Sequence, residues 1–134
     1  MPTSEELAWM AGLLDGEGTI CISNVGRCNG ANFDQFKLRA GVCNTERALI
    51  EPFLVFGGWI QNTKTPKGKP FFRWTIAGEP AIKFLLAIRE YIRSPRRKAR
   101  LEIAIQFQDS TKRSAWGEGY YKMRLDYANK IKQI

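Results

Sequence analysis

Met10-Ala-Gly-Leu-Leu-Asp-Gly-Glu-Gly18 is the stretch on which the fold of this chain turns. Its first half belongs to a helix: Leu7, Met10, Ala11 and Leu14 recur at i, i+3, i+4 and i+7 and form one apolar stripe. Thr3 can cap that helix, with Glu6 three residues on completing a capping box. The spacing therefore predicts a helix over 4–15 that breaks at Asp15-Gly16-Glu17-Gly18. Beside the apolar stripe lie three small residues, Ala8, Gly12 and Gly16, at i, i+4 and i+8. Glycine inside a helix costs about 1 kcal/mol relative to alanine, so its presence needs a reason. Small residues stacked on one face let another backbone approach closely. The chain has one such helix, so the natural partner is the same helix of a second copy across a two-fold axis.

That pairing sets Asp15 and Glu17 at the foot of the helix pair and brings two Glu17 carboxylates together. Anions at a helix C-terminus are disfavoured by the macrodipole and call for a cation. A hard divalent ion such as Mg²⁺ suits carboxylate ligands and phosphate oxygens together, and two such ions can clamp both oxygens of a phosphodiester displacement. Spacing alone leaves a second reading equally open, a polar turn that closes a core helix.

Downstream, the period changes from helical to alternating. Thr19–Asn24 and Gln35–Asn44 read as a hairpin with a long loop containing Gly26, Asn29 and Gly30. Ile20 and Ile22 share a face with Phe36, Leu38, Ala40 and Val42, while the opposite face is polar and partly basic. A helix is expected at about Glu46–Phe56, ending at Gly57-Gly58, with Pro52 against its regularity. A second hairpin follows: Trp59–Lys64, a tight basic turn over 65–70, and Phe71–Ala77. Helices are expected at about Pro80–Tyr91, Pro95–Gln108 and Tyr120–Ile131, with the polar link 109–119 before the last. The order helix, hairpin, helix, hairpin, helices describes an α+β domain with a four-stranded antiparallel sheet. The chain of 134 residues is expected to be one domain, with a core over about 4–108 and a helical extension over about 109–134.

Composition narrows the chemistry. Lys and Arg number 21 against 13 Asp and Glu, a net charge of +8. Residues 1–60 carry only four basic groups, Arg27, Lys37, Arg39 and Arg47, so the excess lies in the second half. A polyanion, nucleic acid before others, is the natural partner. The chain has no His, which excludes His-ligated zinc and a His general base. Cys21, Cys28 and Cys43 lack metal-ligand spacing and read as core or surface thiols. No apolar run nears the roughly 18 residues of a membrane span, and the first residues lack a signal peptide's basic region. An intracellular, unsecreted protein with no membrane partner is expected.

At these residues the chain resembles a known family. Leu7–Ile20, and the nonapeptide Met10–Gly18 above all, is similar to the LAGLIDADG motif in its Asp-Gly-Glu-Gly variant. Only the first position departs in kind, Met10 for Leu. The element order over about 4–108 resembles that family's αββαββα subunit with its saddle-shaped sheet. The resemblance implies an intron-encoded homing endonuclease of the single-motif, homodimeric type, with motif helices at the interface and sheets straddling double-stranded DNA. Such enzymes cut both strands of a long, roughly palindromic site and leave short 3′ overhangs. On the same resemblance Glu17 is the metal-binding acid, assisted by the Gly16 carbonyl, with two or three Mg²⁺ ions at the dimer axis. Asp15 is the acid that caps and supports the motif helices. Asn44 falls where the family often has a Gln positioning the water network. Pro95 stands where the family often has a basic residue near the scissile phosphate. Arg96, Arg97 or Lys98 substitute from the next positions, and Lys98 is the only lysine of the three.

Alternation sets Thr19, Ser23, Gln35, Lys37, Arg39, Gln61, Thr63 and Arg73 on the outer sheet face, donors and acceptors suited to base edges. Trp59 falls on that side too. Lys64, Lys67 and Lys69 in the second turn, with Arg96 and Arg97, are candidates for phosphate contacts. Two alternatives share the fold: a maturase that binds intron RNA, and a DNA-binding protein that does not cut.

Overall fold

A computed structural model describes residues 1–27, 33–111 and 117–134. Asn29 and Gly30 of the first hairpin loop, the thiol of Cys28 and residues 112–116 of the final link lie outside the described residues.

The first helix, α1, spans Ser4–Glu17, two residues beyond the expected break. The Gly18 N–H closes it onto the Leu14 carbonyl, so Asp15, Gly16 and Glu17 stay inside the last turn. A side chain at Gly18 would collide with Leu14, which is why glycine stands at this stop. At the other end the Thr3 hydroxyl accepts from the Glu6 N–H at 3.1 Å. The Glu6 carboxylate takes the Thr3 hydroxyl itself at 3.3 Å, not the Thr3 backbone N–H, so one half of the expected capping box forms. Met10, Ala11 and Leu14 are buried and Leu7 packs beside them, as the stripe requires.

Strands β1 (Gly18–Gly26) and β2 (Gln35–Asn44) form the first hairpin, β3 (Trp59–Lys64) and β4 (Pro70–Ala77) the second. The sheet is four-stranded, in the order β1-β2-β4-β3, antiparallel throughout. Between the hairpins the expected single helix divides into α2 (Arg47–Ile50) and a 3-10 stretch over Glu51–Phe56. Pro52 has no N–H to extend the α ladder, and the chain tightens at that point. Helices α3 (Gly78–Ile88), α4 (Pro95–Thr111) and α5 (Glu118–Lys132) follow.

Helices α1, α3, α4 and α5 lie on the inner sheet face. Ile20, Ile22, Phe36, Leu38, Ala40, Val42, Trp74 and Ile76 point into that layer and are buried. At its centre Trp74 meets Phe53 and Phe84 at 4.9 and 5.0 Å between ring centroids, and its indole N–H donates to the Gly57 carbonyl. The helix α5 also packs on this side. Ala128 and Ile131 are buried, Tyr121 stacks on Phe33, and Arg124 lies over the Phe107 ring while donating to the Phe36 carbonyl. No described helix is long and apolar enough to cross a membrane.

Candidate catalytic corner and nucleic-acid interface

The end of α1, the end of β2 and the start of α4 meet at one corner of the sheet. Glu17 is the last residue of α1 and exposed, and Asn44 is the last of β2. The Asn44 amide donates to Glu17 Oε2 at 2.7 Å, while its oxygen accepts from the Glu46 N–H at 2.9 Å. The second bond fixes which way the amide faces, so Asn44 holds the carboxylate from a position set by the chain turn. Among the described residues Glu17 Oε1 takes no hydrogen bond.

Asp15 is turned the other way. Its carboxylate accepts from the backbone N–H groups of Arg93 and Ser94, at 2.8 and 3.4 Å. Ser94 in turn caps α4 through its hydroxyl, which accepts from the Arg97 N–H at 3.2 Å. Arg97 then reaches back to the end of α1 and donates to the Leu14 and Gly18 carbonyls at 3.2 and 2.9 Å. Its positive charge meets the negative end of the α1 dipole. The helix that carries Glu17 is thus tied to α4 by an acid and a base.

The outer sheet face is the polar one. Cross-strand registers align Thr19, Gly41 and Thr75 with Trp59, and Cys43, Arg73 and Gln61 in the next row. At Gly41 a Cβ would collide with the Trp74 carbonyl, so the row has a gap. The gap deepens a groove of about 320 Å³ that starts at Glu17 and runs past Thr19, Cys21, Ser23, Arg39 and Arg73. Among the described residues Lys37, Arg39, Arg73, Lys64, Lys67 and Lys69 take part in no ion pair. The Arg39 Nε is buried there without a hydrogen-bond partner. Uncompensated cations on one polar face, with a carboxylate at its edge, are the footprint of a polyanion site.

No protein-family model matches the sequence, and no curated protein does. Solved structures do match. The homing endonuclease I-CvuI, in a complex with a DNA target in the presence of Mg, is similar over 96% of this chain and 81% of its own, at 16% identity and a TM-score of 0.78. The homing endonuclease I-TnaI is similar over 98% of this chain and 89% of its own, at 13% identity and a TM-score of 0.76. The LAGLIDADG homing endonuclease I-LtrWI, bound to target DNA, is similar over 97% of this chain and 45% of its own, at 16% identity and a TM-score of 0.74.

The chain has the LAGLIDADG homing-endonuclease fold.

Within this fold α1 is the motif helix, and the remaining candidates fall into three groups. Ala8, Gly12 and Gly16 are exposed on its free face, and a Cβ added at Gly12 or Gly16 would meet nothing within 4 Å outside the helix. Thr19, Ser23, Gln35, Lys37, Arg39, Gln61, Thr63 and Arg73 share the outer sheet face, and Lys64, Lys67 and Lys69 are exposed at the β3–β4 turn. The α4 candidates separate. Pro95 is the first residue of the helix, a position where a missing N–H costs nothing. Arg96 and Arg100 donate to the Ile134 carbonyl, and Arg100 also to that of Ile20. Burial first, then the charges of Arg96 and Arg97, hold the Arg100 guanidinium below its ordinary value. Lys98 is not among the residues that line Glu17's groove and borders a cavity beside Ala8 and Gly12.

Alternation along β4 puts Thr75 and Phe71 on the outer face with Arg73, and a strict reading of that period would have found both. Cys21 and Cys43 line the same groove as half-buried free thiols.

Proposed function

We propose that this chain is a site-specific, divalent-metal-dependent endonuclease of double-stranded DNA. It acts as a homodimer inside the cell on a long, roughly palindromic site and leaves 3′ overhangs. The observation that carries the reading is Glu17, held by Asn44 at the end of the motif helix and opening onto an unpaired basic face, in a fold shared with DNA-bound homing endonucleases.

The donor set fits a hard cation in part. Each chain offers the Glu17 carboxylate, with the Gly16 carbonyl beside it, and among the described residues no three acids or thiols gather into a metal cluster. Two Glu17 groups across the exposed Ala8-Gly12-Gly16 face supply what one chain lacks, for two or three Mg²⁺ ions. When bound, Mg²⁺ lowers the pKa of a water ligand and neutralises charge on the phosphate. The chain's own residues do the rest. Asn44 orients the Glu17 carboxylate; Asp15 and Arg97 hold the helix that carries it; the outer-face residues align the duplex through base edges, and the turn lysines through phosphates.

The decisive assay incubates the protein, and a Glu17→Gln variant, with a randomised duplex library in Mg²⁺ and sequences the cut ends. Staggered cuts at a near-palindrome that vanish in the variant, with duplex binding retained, support the nuclease. The place of Lys98 beside Ala8 and Gly12, apart from the groove, favours the second reading, a binder of DNA or intron RNA that does not cut. Binding without cleavage by either protein selects it.

A further inference from the structure

The two flanks of α1 differ in shape and charge. At about 100° per residue, Trp9 lies about 60° to one side of Gly12, and Asp15 about 60° to the other. Trp9 touches its own Phe53, with ring centroids 5.9 Å apart, yet stays 41% exposed. Leu54 and Val55, next to Phe53 in the chain, are themselves 42% and 58% exposed. On the Asp15 side the surface is hollow. A cavity of about 510 Å³ opens there, floored by Ala8 and Gly12 and walled by Tyr91, Ile92, Arg93 and Lys98.

Charge divides the same way. Helix α1 carries Glu5, Glu6, Asp15 and Glu17 and no base. Glu5 stands one turn before Trp9. In the cavity wall Arg93 and Lys98 outnumber Glu90.

The homodimer reading sets the two Glu17 ends of α1 side by side, which calls for a two-fold axis roughly parallel to α1. Such an axis sets the Trp9 flank of each helix against the hollow flank of the other, because rotation by half a turn exchanges the facing sides. The two features also stand at one height, since Ala8 and Gly12 bracket Trp9 along the helix.

We propose that the indole of Trp9 seats in the partner's cavity between Gly12 and the Tyr91–Lys98 wall. Each dimer then holds two such anchors. The inference rests on the homodimer reading and goes beyond it by naming the residue that locks the pair and the site that receives it. An aromatic that is half exposed alone and enclosed in the pair is the kind of side chain that dominates interface energies.

The test replaces Trp9 with the photo-crosslinking residue p-benzoylphenylalanine in a mixture of ¹⁴N- and ¹⁵N-labelled chains. Irradiation should yield a crosslink from position 9 of one isotopic form to the 89–98 segment of the other. In sedimentation equilibrium Trp9→Ala should weaken dimerisation by about a hundredfold. Trp59→Ala, a tryptophan of similar exposure on the sheet face, should leave it unchanged. Crosslinks to another part of the second copy, or equal weakening by both substitutions, overturn the Trp9 seat while the homodimer stands. A wild-type chain that keeps a monomer mass with and without duplex DNA overturns both.

Discussion

Gly12→Ala should stabilise the single chain and weaken its pairing, two opposite effects from one methyl group. In the monomer the position is exposed, in the interior of α1, and the added Cβ meets nothing within 4 Å outside the helix. The only consequence is the conformational one, a gain of about 1 kcal/mol for Ala over Gly in a helix interior. For a chain of this size that is a rise in Tm of about 4 °C. In the proposed homodimer the same methyl falls between two closely packed helix backbones, where overpacking costs roughly 1–3 kcal/mol at each inserted group. With one methyl from each copy, the dimer dissociation constant should rise about thirtyfold or more. The two effects separate by concentration, because pairing adds to apparent stability by mass action. Thermal melts at nanomolar chain concentration read the monomer term, and sedimentation equilibrium at micromolar concentration reads the pairing. A variant more stable than wild type at every concentration, with unchanged dimerisation, would show that the small-residue face of α1 is not an interface. A variant less stable at the dilute end would refute the claim of free space at Gly12.

Asp15→Ala removes the acceptor for two backbone N–H groups before α4, and should cost about 1–2 kcal/mol in urea denaturation. Asp15→Asn should recover part of that loss, and a variant of wild-type stability would mean that Asp15 does not tie α1 to α4. Replacing Lys64, Lys67 and Lys69 together by Gln should lower the slope of log K against log salt by about 2–3 for duplex DNA, near 0.9 for each phosphate no longer neutralised. An unchanged slope would place the turn off the DNA.

Elements built from near neighbours were legible in the chain itself. The stripe of Leu7, Met10, Ala11 and Leu14 has a helical period, β1 and β2 alternate, and both properties act over a few residues, where sequence and geometry are linked directly. Hence β2 and β3 lie where alternation put them, and the outer face of the sheet carries the polar set expected of it. Local signals failed where a local rule met competition. The motif helix runs to Glu17 because Gly18 is the stop that fits against Leu14, and the helix around Pro52 divides because one N–H is missing. What joins the elements depends on groups far apart in the chain. Asn44 reaches Glu17 across 27 residues and the Arg93 N–H reaches Asp15 across 78. The immediate sequence around Arg97 and Lys98 cannot say that the first grips the end of α1 while the second turns toward the hollow flank. Those directions follow from how α4 docks on α1, and docking is set by the buried faces of both helices acting together. The chain by itself determined its elements, its charge and the acid at the end of the motif helix. Only tertiary packing decided which of its cations grips the end of the motif helix and which borders the hollow beside it.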